Sequence, residues 1–274
     1  MILRPIQARN ELRPFIDSFW WFESDCGVPQ TSSGVVVPNG KAKFILPYKN
    51  SITASYDNTF HESMENKIHF VGAFDKPTII GSPEQISGSI IIELKPNAAY
   101  RFANLPLQNL TNLIFTFDEI YGQQGADIQN KIADTENIFL KIELLQAFLV
   151  KQLFVTNQQQ DIVDFVVNSI IQSNGLVEIK QLEKKTGYSK RYIDLLFQRY
   201  VGLSPKTLAG ITRFQKFYFL WANSGASDFY KHDLYNFYYD QSHFIKEFKN
   251  FTGGYSPTKY AEVNNDFGKI FYRK

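Results

Sequence analysis

Residues 238–260 read YYDQSHFIKEFKNFTGGYSPTKY. Asp240 stands where a side-chain oxygen can accept from the free N–H groups of a first helical turn, so a helix is predicted to open there. Phe244, Phe248 and Phe251 follow at i, i+4 and i+7, which puts them on one face. Lys246 and Lys249 point elsewhere. A Gly pair and Ser256-Pro257 then break the helix. Residues 188–208, YSKRYIDLLFQRYVGLSPKTL, repeat the plan. Ser189 takes the place of Asp240, Phe197 that of Phe248, Gly202 that of Gly253, and Ser204-Pro205 that of Ser256-Pro257. One supersecondary unit is present twice.

The chain has 274 residues, 44% of them apolar, which is enough for two domains with real cores and too much for a disordered chain. No apolar run reaches the length of a membrane span, and the N-terminus shows no secretory signal. The single cysteine, Cys26, fits a reducing, cytoplasmic setting. The net charge of +2 hides an asymmetry: residues 1–160 carry 13 Lys/Arg and 16 Asp/Glu, whereas residues 161–274 carry 16 and 11. A basic C-terminal part suggests an anionic partner for that part.

In chain order, residues 1 to 25 read as an extended lead-in and a helix-to-strand transition. Residues 34–50, GVVVPNGKAKFILPYKN, read as strand, turn at Pro38-Asn39-Gly40, strand. Residues 67–81 read the same way around Asp75-Lys76-Pro77, and GSIIIELKP is a further strand ending at Pro96. Short strands at this spacing predict a sandwich or small barrel. After Pro96 the pattern turns helical, with a helix stopped near Leu105-Pro106 and a second short one after it. Residues 126–156 read as one long helical stretch. Its apolar surface, including Ile138, Ile142, Leu145 and Leu149, is wider than one packing face needs, so both a plain core role and a dimer interface stay open.

From Asp161 onward everything reads helical. One helix is closed by Asn174-Gly175, a second by Gly187, a third opens at Ser189, and Ser204-Pro205 starts a fourth that runs through Trp221 to Asn223-Ser-Gly225. The fold class is therefore α+β with two domains. A β-rich barrel- or sandwich-like domain with helices spans residues 1–125, a helical connection spans 126–160, and an all-α domain with two helix-turn-helix units joined by a long helix spans 161–274.

A helix, a Gly-containing turn and a second helix with one buried and one polar stripe describe the helix-turn-helix, whose second helix enters the DNA major groove. A single such pattern is weak. Two copies joined by one helix are far more specific. Through GYSKRYIDLLFQRYVGLSP and YYDQSHFIKEFKNFTGGYSP, the chain resembles the AraC/XylS family of bacterial transcription regulators from Asp161 to Glu262. FWWFES, VVPNGKAKFIL and IIELKPNAAYRFANLPLQNL more loosely resemble the β-rich N-terminal domain that some of these regulators carry.

The resemblance implies a sequence-specific, effector-responsive DNA-binding regulator. Its partners would be double-stranded DNA, a small-molecule effector, a second copy of the chain and RNA polymerase, with no membrane and no cofactor. Outward positions on the first recognition helix are Lys190, Arg191, Asp194, Leu195 and Gln198. On the second they are Gln241, Ser242, Ile245, Lys246 and Lys249, and Arg213 in the linking helix matches a position the family usually fills with Arg. Glu183, Leu195, where the family often has a base-reading Arg, Asp233, Asn236, Phe237 and the extra Gly254 depart from the family pattern. Glu183 and Phe237 are expected to burden a helix contact and a tight turn respectively.

Aromatic side chains in the β region, Trp20, Trp21, Phe44, Phe70 and Phe74, are either core or the lining of an effector pocket. His61 and His69, with Glu62, Glu65 and Glu93, match no standard metal spacing, so no metal is expected. No phosphate-cradling Gly loop and no nucleophile–base motif is visible, so no catalytic residue is assigned. Three classes stay open: a DNA-binding regulator, an effector-binding or protein-interaction protein with a degenerate DNA-binding domain, and an enzyme on a barrel with a helical appendage.

Overall fold

A computed structural model describes residues 1–28, 34–103, 105–154, 158–223 and 237–263. The N-terminal half holds two antiparallel sheets. The larger has strand order β1-β2-β9-β4-β7-β10, and the smaller β3-β8-β5-β6. Their ranges are β1 Ile2–Pro5, β2 Ile16–Ser24, β3 Val35–Val36, β4 Lys43–Lys49, β5 Ile52–Tyr56, β6 Thr59–Ser63, β7 His69–Val71, β8 Thr78–Gly81, β9 Ser87–Leu94 and β10 Ile114–Thr116.

Residues 1–25 are not a helix-to-strand transition. They form β1 and β2, an antiparallel pair in which Leu3 faces Phe22 and Arg4 faces Trp21. The segments around Pro38-Asn39-Gly40 and Asp75-Lys76-Pro77 do not close hairpins. Each carries the chain from one sheet to the other: β3 and β8 pair in the small sheet, while β4 and β7 pair in the large one. The hairpin in this region is β5–β6, turned by Asp57 and Asn58, both with positive φ (45° and 62°). That is the backbone a two-residue hairpin turn requires, and Asp and Asn tolerate it.

Side chains alternate across a strand, so the large sheet has two different faces. Phe44, Leu46, Phe70, Ile90, Ile92 and Leu94 are completely buried on one face. There Phe44 meets Phe102 and Phe117 edge-on, at 5.7 and 5.6 Å between ring centres. Phe22, Ile91 and Val71 belong to the other face, toward the small sheet.

After β9 the chain makes two single 3-10 turns, Ala99–Arg101 and Leu107–Asn109, in place of the two helices expected there. The stretch from 126 to 151 is not one helix. Short α1 (Phe117–Tyr121) leads into α2 (Gln123–Ala133), and α3 (Ile138–Lys151) starts afresh because Asn137 caps it, accepting from the N–H groups of Phe139 and Leu140. Ile142, Leu145 and Leu149 face inward; Phe139 faces outward and is 66% exposed.

The C-terminal half follows the expected signals closely. α4 is Gln158–Gln172, α5 Ile179–Thr186, α6 Lys190–Tyr200, α7 Pro205–Asn223, α8 Gln241–Phe251 and α9 Pro257–Glu262. α4 ends through left-handed Asn174 and Gly175, whose N–H donates to Ile170 O. α5 ends at left-handed Gly187. The end of α7 past Asn223, the weakly patterned segment with Asp233 and Asn236, and the tail after Val263 lie outside the described residues.

The two halves share one continuous core. Tyr100 stacks edge-on against Tyr200, with ring centres 5.2 Å apart, and Asn97 Nδ2 donates to Asp164 Oδ1 at 2.7 Å. Thr111 Oγ1 donates to Gly202 O at 2.7 Å, and Gln215 Nε2 donates to Pro38 O at 2.5 Å. The β half is therefore seated on α4, α6 and α7.

Candidate nucleic-acid interface and ligand cavity

α6 and α8 are built alike. The Ser189 side chain accepts from Tyr192 N, and the Asp240 side chain accepts from His243 N at 2.7 Å. Ile193, Leu196, Phe197 and Tyr200 are buried on α6; Phe244, Phe248 and Phe251 are buried on α8. The faces opposite are open. Lys190, Arg191, Leu195 and Gln198 are exposed on α6, with Asp194 half-buried, and Leu195 reaches 60% exposure. Gln241, Ser242, Lys246 and Lys249 are exposed on α8, with Ile245 half-buried. Each helix thus presents a polar strip with cations to solvent.

Glu183 does not burden the contact between α5 and α6. Its carboxylate accepts from the backbone N–H of Lys190 at 2.7 Å and so satisfies a free donor of the first turn of α6. A negative charge there also complements the helix dipole. Phe237 is half-buried against the common core. Gly254 belongs to the end of α8: Gly253 and Gly254 both have positive φ (74° and 90°), and Gly254 N donates to Lys249 O at 2.7 Å. Lys249 itself lines a cleft of about 720 Å³ between the end of α8 and the small sheet, opposite Asp57, Lys76 and Pro77.

Arg213 is not on the open faces. Its Nη2 and Nε donate to Glu247 of α8 at 2.5 and 3.2 Å, Nη1 donates to Gly175 O at 3.3 Å, and its guanidinium lies over the Tyr238 ring. Arg and Glu side chains are only 15% and 14% exposed. The position matched to the family's Arg thus makes its hydrogen bonds within the helical half.

A second feature lies between the sheets. A cavity of about 190 Å³ is walled mainly by apolar side chains, among them Phe22, Ile45, Ile52, Phe74 and Ile91. Of the aromatic residues singled out from the sequence, Phe74 lines it and the others do not. Strand register gives the reason. Trp21 faces Ile90, and Phe44 faces both Ile92 and Phe70, so all three belong to the opposite face of the large sheet. Trp20 shares the face of Ile91 and Phe22 but sits outside the wall.

The polar end of the cavity comes from Asn39, Lys41, Lys43 and Glu93, with Gln215 reaching in from α7; of these the sequence pointed to Asn39 only as a turn residue and to Glu93 only beside the histidines. Lys43 faces Glu93 across the β4–β9 pair, with Nζ 3.6 Å from the carboxylate. Lys41 lies 3.9 Å from Glu93 and 2.6 Å from Asp17. Ser18 and Asn39 donate to Glu93 at 2.8 and 2.7 Å. Burial pushes the Glu93 carboxyl up, but the two ammonium groups, together with the hydrogen bonds from Ser18 and Asn39, outweigh it and hold it below its usual range. For Lys43 burial dominates and holds the ammonium below its usual range. Within the cluster each ammonium has a carboxylate partner, Lys43 with Glu93 and Lys41 with Asp17. A visible signal was the run Lys41, Lys43, Ile45, whose alternation with buried Ala42, Phe44 and Leu46 assigns the lysines to the second face.

His61 and His69 do meet, with ring centres 5.4 Å apart, but Glu93 is on the lysine cluster and does not join them. Among the described residues no three His, Cys, Asp or Glu side chains converge as a metal site would require. Burial holds the His69 imidazole down to about 4, with the neighbouring His61 and Lys67 adding to the effect. Among the same residues, no helix is long and apolar enough to cross a membrane.

Residues 4–116 match the model of a family described as Domain of unknown function (DUF6597). No curated protein matches the chain. Among solved structures, ToxT from Vibrio cholerae is similar at 13% identity and a TM-score of 0.48, covering 90% of this chain and 99% of that one. ToxT from strain O395 bound to (E)-4-(8-methylnaphthalen-1-yl)but-3-enoic acid is similar at 12% identity and 0.48, covering 90% and 100%. The AraC-like transcriptional activator CuxR is similar at 12% identity and a TM-score of 0.27, covering 78% and 84%.

Proposed function

We propose that this chain is a sequence-specific, effector-responsive DNA-binding regulator of the AraC/XylS type, reading adjacent major grooves of one duplex with α6 and α8. The observation that carries the reading is the duplicated pair itself. Two N-capped helices, each with one buried stripe and one exposed polar strip, are joined through the single helix α7. Side chains in the first turns of such helices reach base edges, while lysines and arginines hold phosphates. Lys190, Arg191 and Gln198 on α6, and Gln241, Ser242 and Lys246 on α8, are the exposed candidates for those roles. Half-buried Asp194 suits a base donor such as cytosine N4 and would repel a phosphate.

The cavity between the sheets supports the effector part of the reading. Its walls suit a small, largely apolar molecule, and its polar end, with Asn39, Lys41, Lys43 and Glu93, suits a hydrogen-bonding group on that molecule. Gln215 belongs to the helix that joins the two DNA-reading units, so a ligand there would touch both halves of the protein.

The experiment is duplex binding by the full chain against a random-sequence library, followed by salt titration of the selected site. Affinity is expected to fall steeply with salt, because several phosphate contacts release counterions. Lys246→Glu is expected to weaken binding about tenfold and to flatten the salt slope. Absent or salt-insensitive binding would overturn the reading in favour of a protein that binds effectors or other proteins with a degenerate DNA-binding domain.

A further inference from the structure

α8 is held against α7 mainly by rings. Phe214 packs on Phe248 and Phe251, with ring centres 5.6 and 5.1 Å apart, and Phe217 packs on Phe244 at 4.9 Å. Apolar contact is strong but non-directional, so by itself it leaves a helix some freedom to turn about its own axis. Such a turn would redirect Gln241, Ser242 and Lys246 together.

One interaction opposes it. Glu247 sits between Lys246 and the buried Phe248, and both its carboxylate oxygens are taken by Arg213. The third contact of the guanidinium goes to Gly175 O, in the turn that closes α4 ahead of the first unit. The backbone there is packed very closely. A Cβ on Gly175 would lie 2.1 Å from Ala209 O, so the turn lies directly on α7 one helical turn before Arg213. On the other side, the ion pair packs beside Gly210: a Cβ there would meet Glu247 Oε2 at 3.5 Å and Arg213 Nη2 at 3.9 Å, ordinary contact distances. His243, one turn before Glu247 on α8, approaches the same carboxylate at 3.7 Å. One turn of α7 therefore meets the turn that leads into the first unit and also the second unit, and Arg213 bonds to both.

We propose that Arg213 is the positioning residue of the pair, fixing the rotation of α8 relative to α7 and to the turn that leads into the first unit. The proposal rests on the DNA-binding reading for its consequence, but its geometry stands without it. A planar guanidinium is required because only its fork can hold a carboxylate with two donors and a carbonyl with a third. Lysine keeps the charge and loses the orientation.

The test uses full-length wild type, Arg213→Lys and Glu247→Gln, with two measurements on each. In hydrogen exchange, residues 241–251 should exchange at least about tenfold faster in both variants, while residues 190–200 stay near wild type. In nuclease footprinting on the duplex selected by wild type, both variants should lose protection over one groove, keep it over the other, and bind about tenfold more weakly overall. Wild-type exchange in both variants overturns the proposal. So does weaker DNA binding by Arg213→Lys without a change in exchange, since that would make Arg213 a direct DNA contact. If wild type gives no footprint, the DNA-binding reading falls, and the exchange measurement still decides whether Arg213 orients α8. If Arg213→Lys does not fold, Glu247→Gln, which removes only the partner's charge, carries the same two readouts.

Discussion

α6 and α8 are copies of one plan placed in different surroundings. The turn that follows α6 is pressed against the β half, where Gly202 has φ +84° and a Cβ would lie 2.6 Å from Thr111 Oγ1 and 2.9 Å from Leu107 O. The turn that follows α8 is closed by two left-handed glycines in looser surroundings; a Cβ on Gly254 would meet nothing within 4 Å. The first copy is thus anchored by a neighbouring domain and its own carbonyls. The second is anchored by an aromatic cluster and one ion pair. The lesson is that duplication conserves what a helix needs at its ends, while each copy acquires its own way of being held.

The largest test of that contrast lies in the cores of the two copies. Phe197→Ala and Phe248→Ala should each cost about 3–5 kcal/mol in denaturant unfolding, because both side chains are fully buried. Exchange protection should divide them: loss at Phe197 is expected to spread to residues 97–111 of the β half, and loss at Phe248 to stay within α7, α8 and α9. Equal spreading would break the comparison.

Acid strikes the β half, and so the anchor of the first copy. His69 is neutral in the fold, held to about 4, whereas it takes up a proton near 6.5 when unfolded. Between pH 6.5 and 4 the unfolded chain binds the extra proton, so stability is present above that window and is lost as pH falls through it. The loss should approach about 3 kcal/mol at pH 4. Thermal unfolding of wild type and His69→Leu across that range is the measurement. A wild-type slope no steeper than that of the variant would remove His69 from the account.

The smallest effects separate the turns. Gly202→Ala combines left-handed strain with a collision against a backbone carbonyl, and more than about 2 kcal/mol should be lost. Gly254→Ala carries the strain alone, so about 1 kcal/mol is expected. Equal losses in equilibrium unfolding would mean that the turn after α6 can move away from Leu107.

Much of the helical half was legible because its signals are local. Ser189 and Asp240 cap the helices they were expected to cap, and Pro205 opens α7, while Ser256, read only as a helix breaker, caps α9. A cap is decided within three or four residues of itself, so sequence spacing suffices. The β half was legible in texture and not in connection. Pro38-Asn39-Gly40 looks like a hairpin turn, yet the chain changes sheets there, while the real hairpin signal at Asp57-Asn58 was overlooked. The aromatic residues were a poor guide to the cavity because hydrophobicity says that a side chain is buried and register says on which face.

The sequence by itself determined the duplicated helices, their ends, their buried stripes and a β-rich partner domain, since periodicity and capping are short-range properties of the backbone. Only the tertiary structure decided what meets across long separations. Lys43 and Glu93 face each other because β4 pairs with β9. Arg213 turns inward because Glu247, 34 residues away, presents a carboxylate to its guanidinium. A charge on a helix looks solvent-bound in any local reading. Which charges find a partner depends on packing between elements distant in sequence.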